Sequence, residues 1–375
     1  MKIGIDCRIF SSKFTGIGRY TKELVDQLIK INDLENQKHT LILFFNQPEY
    51  EKFATQNSNV KKVLVNAKHY SFAEQTKFLK ILNKEKLDII HFPHFNVPFF
   101  YRRPYTVTIH DLTLSFFPGQ KMTRFYHRLF YNLIIKNAVK RAKTVVAVSQ
   151  NTKNDIIKHL KIKEQKIKVI HNGVNSNFKL IADQSILSKT LSKFNIKKDF
   201  LLYTGVWRSH KNLSRLIEAF AIIRNKKNLD LNLVITGNKD PYYPEVTKTI
   251  KSLNLEKNVI TPGLVSEEDL INLYNAASIY VFPSLYEGFG IPPLEAMKCG
   301  TPVAASNTAS IPEICGEKNA VFFDPYNTED IAEKITTLYK DKDLQKELIE
   351  RGFAHIRDFS WEKMGKEIYK IITQK

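Results

Sequence analysis

The sequence predicts an α/β protein built from two doubly wound parallel-sheet domains. Three observations carry that prediction. Short apolar runs alternate with amphipathic stretches along the whole chain, which is the βαβ pattern. The series of runs breaks across residues 176–198, where strand character is weak, and then restarts. The length, 375 residues, suffices for two hydrophobic cores.

In the first series Ile3–Ile5, Leu41–Phe45, Lys62–Val65, Ile89–Phe92, Tyr105–Ile109, Val145–Val148 and Lys168–Ile170 read as buried strands. Arg19–Ile31 and Phe72–Leu82 read as helices between them. In the second, the strands are Phe200–Tyr203, Leu231–Ile235, Val259–Thr261, Ile279–Phe282, Val303–Ala305 and Ala320–Phe323. The helices are Leu213–Arg224, Glu267–Ala276, Leu294–Cys299 and Thr328–Tyr339. Ser176–Lys198 reads as a linker, so Rossmann-like domains are expected over residues 1–180 and 181–357. On such sheets ligands bind at the carboxyl ends of the strands.

Composition excludes several classes. With 43% hydrophobic and 25% charged residues the chain is neither disordered nor fibrous. Cys7, Cys299 and Cys315 are too few and too scattered for a disulfide framework or a zinc site, which suggests a reducing compartment. No apolar run is long enough to span a bilayer, and Asp6 falls where a signal peptide would carry its apolar core. A cytoplasmic protein is expected. The net charge of +19 is unevenly placed: residues 1–180 hold 31 Lys+Arg against 13 Asp+Glu, and residues 181–375 hold 26 against 25. The first half therefore calls for an acidic partner: nucleic acid, anionic lipid or a phosphorylated substrate.

The chemistry concentrates in the stretch Val281–Pro302. A strand runs into a loop, Glu287-Gly288-Phe289-Gly290, and then into a short helix with prolines at its start and Gly300 at its end. The amides of Phe289, Gly290 and Ile291 come to a helix N-terminus, a ready anion site. Glu295 is expected in the first turn of that helix, placed to bond a ribose diol. Tyr203-Thr204-Gly205-Val206-Trp207-Arg208-Ser209-His210-Lys211-Asn212 is a strand, a Gly205 turn and a helix start carrying Arg208 and Lys211. Thr15-Gly16-Ile17-Gly18-Arg19-Tyr20 opens a helix after the first strand, and its glycines let backbone amides approach a phosphate. The third glycine of a nicotinamide fingerprint is absent. His110 stands at a strand's carboxyl end, followed by Asp111.

Glu287 and Glu295, with Pro283-Ser284, Glu295-Ala296-Met297 and Gly300-Thr301-Pro302 around them, resemble the paired-glutamate motif of the retaining GT-B glycosyltransferases of family 4. The Gly16 loop, His110-Asp111, the Lys211 segment, Val148-Ser149, Asn172-Gly173-Val174 and Phe359-Ser360-Trp361 extend the resemblance over essentially the whole chain. The last of these implies a terminal helix, about 358–375, that crosses back onto the first domain. The resemblance implies transfer of a hexose from a nucleoside-diphosphate sugar with retention at the anomeric carbon. Lys211 and Arg208, with the amides around Gly290 and Gly16, would stabilise the departing diphosphate. Glu287 would bond the transferred sugar, Glu295 the ribose, and His110 would lie near the reacting carbon. The departing phosphate would take the acceptor's proton. No cofactor or divalent metal is expected. The His210-Lys211-Asn212 and His110-Asp111-Leu112 forms resemble mannosyltransferase-like members, which favours a GDP-linked donor over a UDP-linked one.

The basic first domain would take the acceptor, a glycan or a lipid-diphosphate-linked sugar in surface polysaccharide assembly. Two stretches there suit an anionic membrane surface, on the inner face of the cell membrane. One is the loop around Phe99, Phe100, Arg102 and Arg103. The other is Lys121–Lys143, with Arg124 and Arg128 among Phe125, Tyr126, Phe130 and Tyr131. Two alternatives remain open at this point. One is a GT-B-fold sugar-nucleotide epimerase, against which the Pro283–Pro302 string argues. The other is a basic nucleic-acid-binding protein, for which no recognition motif is found, so no nucleic acid is expected.

Overall fold

The computed structural model describes residues 1–11, 15–117 and 125–374. They divide into two units. Of the described residues the first takes 1–11, 15–115, 125–173 and 360–374, and the second 116–117 and 174–359.

In the first unit seven strands form one sheet: β1 (Lys2–Asp6), β2 (Thr40–Phe45), β3 (Val60–Leu64), β4 (Ile89–Phe92), β5 (Tyr105–Ile109), β6 (Thr144–Ala147) and β7 (Ile167–Val169). Their order is β3-β2-β1-β4-β5-β6-β7, and every pair is parallel. β4 and β5 are buried at every residue because helices cover both faces of a parallel sheet. The strand order reverses between β1 and β4, and a doubly wound sheet opens its crevice at such a point. The helix Trp361–Thr373 returns to this unit and packs along the helix Thr15–Leu34. Tyr369 Oη donates to Glu35 at 2.9 Å across that contact. Ser360 caps the returning helix at Glu362 N, 3.2 Å.

The second unit holds β8 (Phe200–Thr204), β9 (Asn232–Thr236), β10 (Val259–Gly263), β11 (Ile279–Phe282), β12 (Val303–Ser306) and β13 (Val321–Phe323). The order is β10-β9-β8-β11-β12-β13, again parallel throughout. Here the order reverses between β8 and β11.

The boundary between the units falls between Gly173 and Val174, a few residues before the expected position. The span 176–198 is also more than a linker: it contains the helix Gln184–Lys193, capped by Asp183 and buried through Leu187, Thr190 and Leu191. Leu187 and Leu191 stand one helical turn apart, so the span is apolar at helical spacing and not at strand spacing. Asn272 Nδ2 donates to Thr190 Oγ1 at 2.9 Å, and Lys193 pairs with Asp269 at 2.7 Å. The helix is thereby part of the second unit.

Candidate active site

In the second unit the loops following β8 and β11 meet at the switch point. Leu285 N donates to the His210 carbonyl at 2.7 Å, which joins them. Lys211 ends the short 3-10 turn Ser209–Lys211, and Glu287 lies in the loop after β11. Their side chains meet, Lys211 Nζ to Glu287 Oε1 at 2.5 Å, and are only 19% and 14% exposed. An ion pair that is largely desolvated but still reachable is held by more than surface attraction.

The backbone of the Glu287 loop is held from a third side. Ser310 Oγ bonds the carbonyls of Glu287 and Phe289, both at 2.9 Å. Thr308 Oγ1 bonds those of Ser284 and Leu285 at 3.3 and 3.2 Å. Both hydroxyls come from the turn after β12. Gly290, at φ +98°, then turns the chain into the helix Ile291–Lys298. A side chain at that φ would be strained, which explains the glycine. Phe289 is buried with its ring 6.0 Å from that of Phe359, and Ile291 is the half-buried first residue of the helix.

Glu295 corrects one detail of the expectation. It is the fifth residue of the helix, so it opens the second turn and not the first. It is 4% exposed. Glu295 Oε2 accepts from Tyr274 Oη at 3.2 Å, and Tyr274 Oη is 2.9 Å from Thr204 Oγ1, itself 3.1 Å from Tyr280 Oη. A chain of hydroxyls from β8, β11 and the helix Glu267–Ala276 thus lies beneath the carboxylate. Gly205 follows Thr204 at φ +145°. Arg208 is exposed, and among the described residues its side chain makes no ion pair. The structure therefore brings Lys211 and Glu287 together and leaves Arg208 apart from them.

In the first unit His110 follows β5. Its Nε2 is 2.8 Å from the Pro93 carbonyl, which can only accept, so that nitrogen carries the proton. The Tyr20 ring meets His110 edge-on at 4.7 Å, and Tyr20 Oη bonds Thr108 Oγ1 at 2.8 Å. Gly16 and Gly18 lie in the first turns of the helix that carries Tyr20, so the glycine turn and His110 belong to one cluster. Asp111 accepts from Thr113 N at 2.8 Å and opens the short helix Thr113–Phe116.

Sequence reasoning missed what lies beside this cluster. Arg8, fully buried, pairs with Asp6 at 2.8 Å and Glu74 at 2.9 Å. Its Nη2 also donates to the Asn96 carbonyl at 3.1 Å. His91 bonds Thr106 and Thr108, and His94 Nδ1 lies 2.5 Å from Asn96 Oδ1. Burial pushes His91 and His94 down to about 3, with the neighbouring His110 adding to the effect. Burial also lowers His110, against the opposing pull of the Pro93 carbonyl and Asp111. No spacing could have announced this group, because its members come from four separate segments. Among the described residues no group of three or more His, Cys, Asp or Glu side chains stands in a metal-ligating arrangement.

The two sheets and the paired glutamates define a glycosyltransferase of the GT-B fold. Two family models match the chain: "Glycosyltransferase Family 4" over residues 14–178 and "Glycosyl transferases group 1" over residues 188–355. Together they take in most of it, and the chain belongs to the family 4, group 1 glycosyltransferases. It is 28% identical to the O-antigen chain mannosyltransferase B of Escherichia coli over 96% of this chain and 97% of that protein. It is 31% identical to the O-antigen chain mannosyltransferase RfbU of Salmonella typhimurium over 59% of this chain and 56% of that protein. Among solved structures, the sucrose-phosphate synthase of Thermosynechococcus elongatus superposes with a TM-score of 0.77 at 18% identity, covering 99% of this chain and 98% of that one. At that identity the likeness speaks for the fold alone.

Proposed function

We propose that this glycosyltransferase moves mannose from GDP-mannose, with retention, onto a growing surface glycan or a lipid-diphosphate-linked precursor at the inner face of the cell membrane, without a divalent metal. The observation that carries the proposal is the Lys211–Glu287 pair at the switch point of the second sheet, beside the buried Glu295. The names of the mannosyltransferase relatives support the sugar and the glycan acceptor.

In this reading the donor's diphosphate takes the place beside Lys211 that Glu287 holds in the free protein. Glu287 is released to bond the sugar's hydroxyls, and Glu295 accepts from the ribose diol. The bond from the anomeric carbon to the phosphate oxygen breaks, the acceptor oxygen bonds the same carbon on the same face, and the acceptor's proton passes to the departing diphosphate. Lys211, Arg208 and the amides at Gly290 and Gly16 stabilise the charge that grows there, which is where positioned cations lower a barrier most. His110 lies by the reacting carbon.

The test supplies GDP-mannose, UDP-glucose and UDP-galactose separately, with and without EDTA, together with a lipid-linked oligosaccharide acceptor. The expected result is an α-mannoside from GDP-mannose that EDTA leaves undiminished, with kcat lower by about 10²–10³ in Lys211→Ala. A β-linked product would refute retention. Activity confined to a UDP sugar would refute the donor.

A further inference from the structure

We infer that the helix Phe125–Arg141 and the loop around Phe100 form one docking face for an anionic lipid bilayer. This deepens the membrane placement proposed above and rests on it. The helix is unusual in being apolar on two sides. Tyr131, Ile134, Ile135, Ala138 and Val139 face the core. On the other side Leu129, Phe130 and Leu133 are 49–53% exposed. A surface helix normally carries one apolar stripe, so a second, half-exposed one calls for a partner.

The loop joins this face through both polar groups of one peptide residue. Phe99 N donates to Gln75 Oε1 at 2.7 Å, and the Phe99 carbonyl accepts from Asn137 Nδ2 at 3.2 Å. Asn137 follows Phe130 and Leu133 along one stripe of the helix, so the apolar side chains and the loop are neighbours. Phe100, next in the loop, is 61% exposed. Phe72, one turn before Gln75, is 82% exposed. Arg102 Nη1 donates to the same Phe99 carbonyl at 2.8 Å, and its guanidinium lies 5.6 Å from the Phe100 ring. Not every residue of the two membrane-facing stretches expected from the sequence takes part. Tyr131 belongs to the core, and Arg103 turns its Nε to the Leu87 carbonyl at 3.1 Å. Lys121 and Arg124 lie outside the described residues, and for Phe125 and Tyr126 only the helical backbone is described.

Charge names the occupant. Between Asp88 and Asp155 the chain carries ten Lys and Arg against one carboxylate, Asp111. On the helix itself Leu129, Leu133, Lys136 and Lys140 follow one another at helical spacing, and both lysines are exposed. Apolar side chains at the centre with cations around them match the acyl and headgroup layers of an anionic leaflet. A second copy would set like charge against like charge. A nucleic acid would leave the leucines and phenylalanines unused.

The test sediments the full chain with phosphatidylcholine vesicles, alone or carrying phosphatidylglycerol, at low and high salt. Binding to the anionic vesicles only, weakened by salt, is expected. Leu129→Ser with Leu133→Ser, and separately Lys136→Glu with Lys140→Glu, should each lower the partition by about tenfold or more. Leu34→Ser, exposed on another helix, should not. The inference is overturned if the wild type stays in the supernatant at low salt, if the leucine pair has no effect, or if duplex DNA displaces the protein and the lysine pair alone matters. Thermal shift by GDP-mannose in all variants keeps the questions apart. Vesicle binding without a nucleotide response would count against the transferase reading and leave the docking face standing, and the reverse outcome would do the opposite.

Discussion

At the residue scale, the donor side of the molecule depends on how two carboxylates are held. Glu287 is held by a cation and Glu295 by a neutral hydroxyl. In the proposed reading the Glu295 carboxylate accepts from the ribose diol. Tyr274, which donates to it, is fixed in turn by Thr204 and by Thr301 Oγ1, which donates to the Tyr274 carbonyl at 2.5 Å. Tyr274→Phe removes the hydroxyl between Glu295 and Thr204 without opening a cavity. One such bond contributes about 1 kcal/mol, so the donor KM is expected to rise about fivefold with kcat and the acceptor KM unchanged. Steady-state kinetics with each substrate varied in turn checks this. A fall in kcat alone would mean that Tyr274 does not act through donor binding.

At the element scale, the turn that opens the first long helix shows how much a spacing can and cannot tell. Gly16 and Gly18 look alike in the sequence. In the structure a Cβ on Gly18 would come 2.0 Å from the Ser11 carbonyl oxygen, whereas one on Gly16 would meet nothing within 4 Å. Gly18→Ala is therefore expected to destabilise the first unit by about 1–3 kcal/mol. Gly16→Ala should stabilise the helix by about 0.4–1 kcal/mol and lower activity, since its open side is where a phosphate would approach. Denaturant melts and turnover rates separate the two. All thirteen strand runs read from the sequence are strands in the two sheets, because in a covered parallel sheet burial leaves a continuous apolar signature. Glu287 and Lys211 were each named by a motif, but neither their meeting nor the support of their loop was legible in the sequence. Ser310 and Thr308 hold that loop from a turn with no distinctive composition, and hydroxyl-to-carbonyl bonds leave no periodic trace. The helix Gln184–Lys193 was hidden for a related reason: a search for strands passes over leucines at helical spacing.

At the scale of the whole molecule, the two units differ in how they should answer to acid. The first contains a group of four buried or half-buried histidines, His69, His91, His94 and His110, all held below the ordinary value mainly by loss of solvation. In the unfolded chain each would titrate near 6.5. Between that value and the folded one, about 3 for His91 and His94, the unfolded state binds the extra protons. Stability therefore rises with pH across that window and is lost as pH falls below about 6.5, by up to about 1.4 kcal/mol per pH unit for each histidine. The carboxyl of Glu74 works in the opposite direction: burial raises it despite Arg8, so acid penalises its folded form less. Burial raises Asp26 likewise, and four histidines outweigh the two carboxyls. Urea unfolding followed at pH 7.5, 6.5 and 5.5 should show the first unit losing stability below 6.5. Fluorescence of Trp361, which lies in the first unit, and of Trp207, which lies in the second, distinguishes the two when each is replaced by Phe in turn. A flat response of the Trp361 signal would mean that these histidines are protonated in the folded protein. The neutral His110 on which the proposed chemistry depends would then be lost with them.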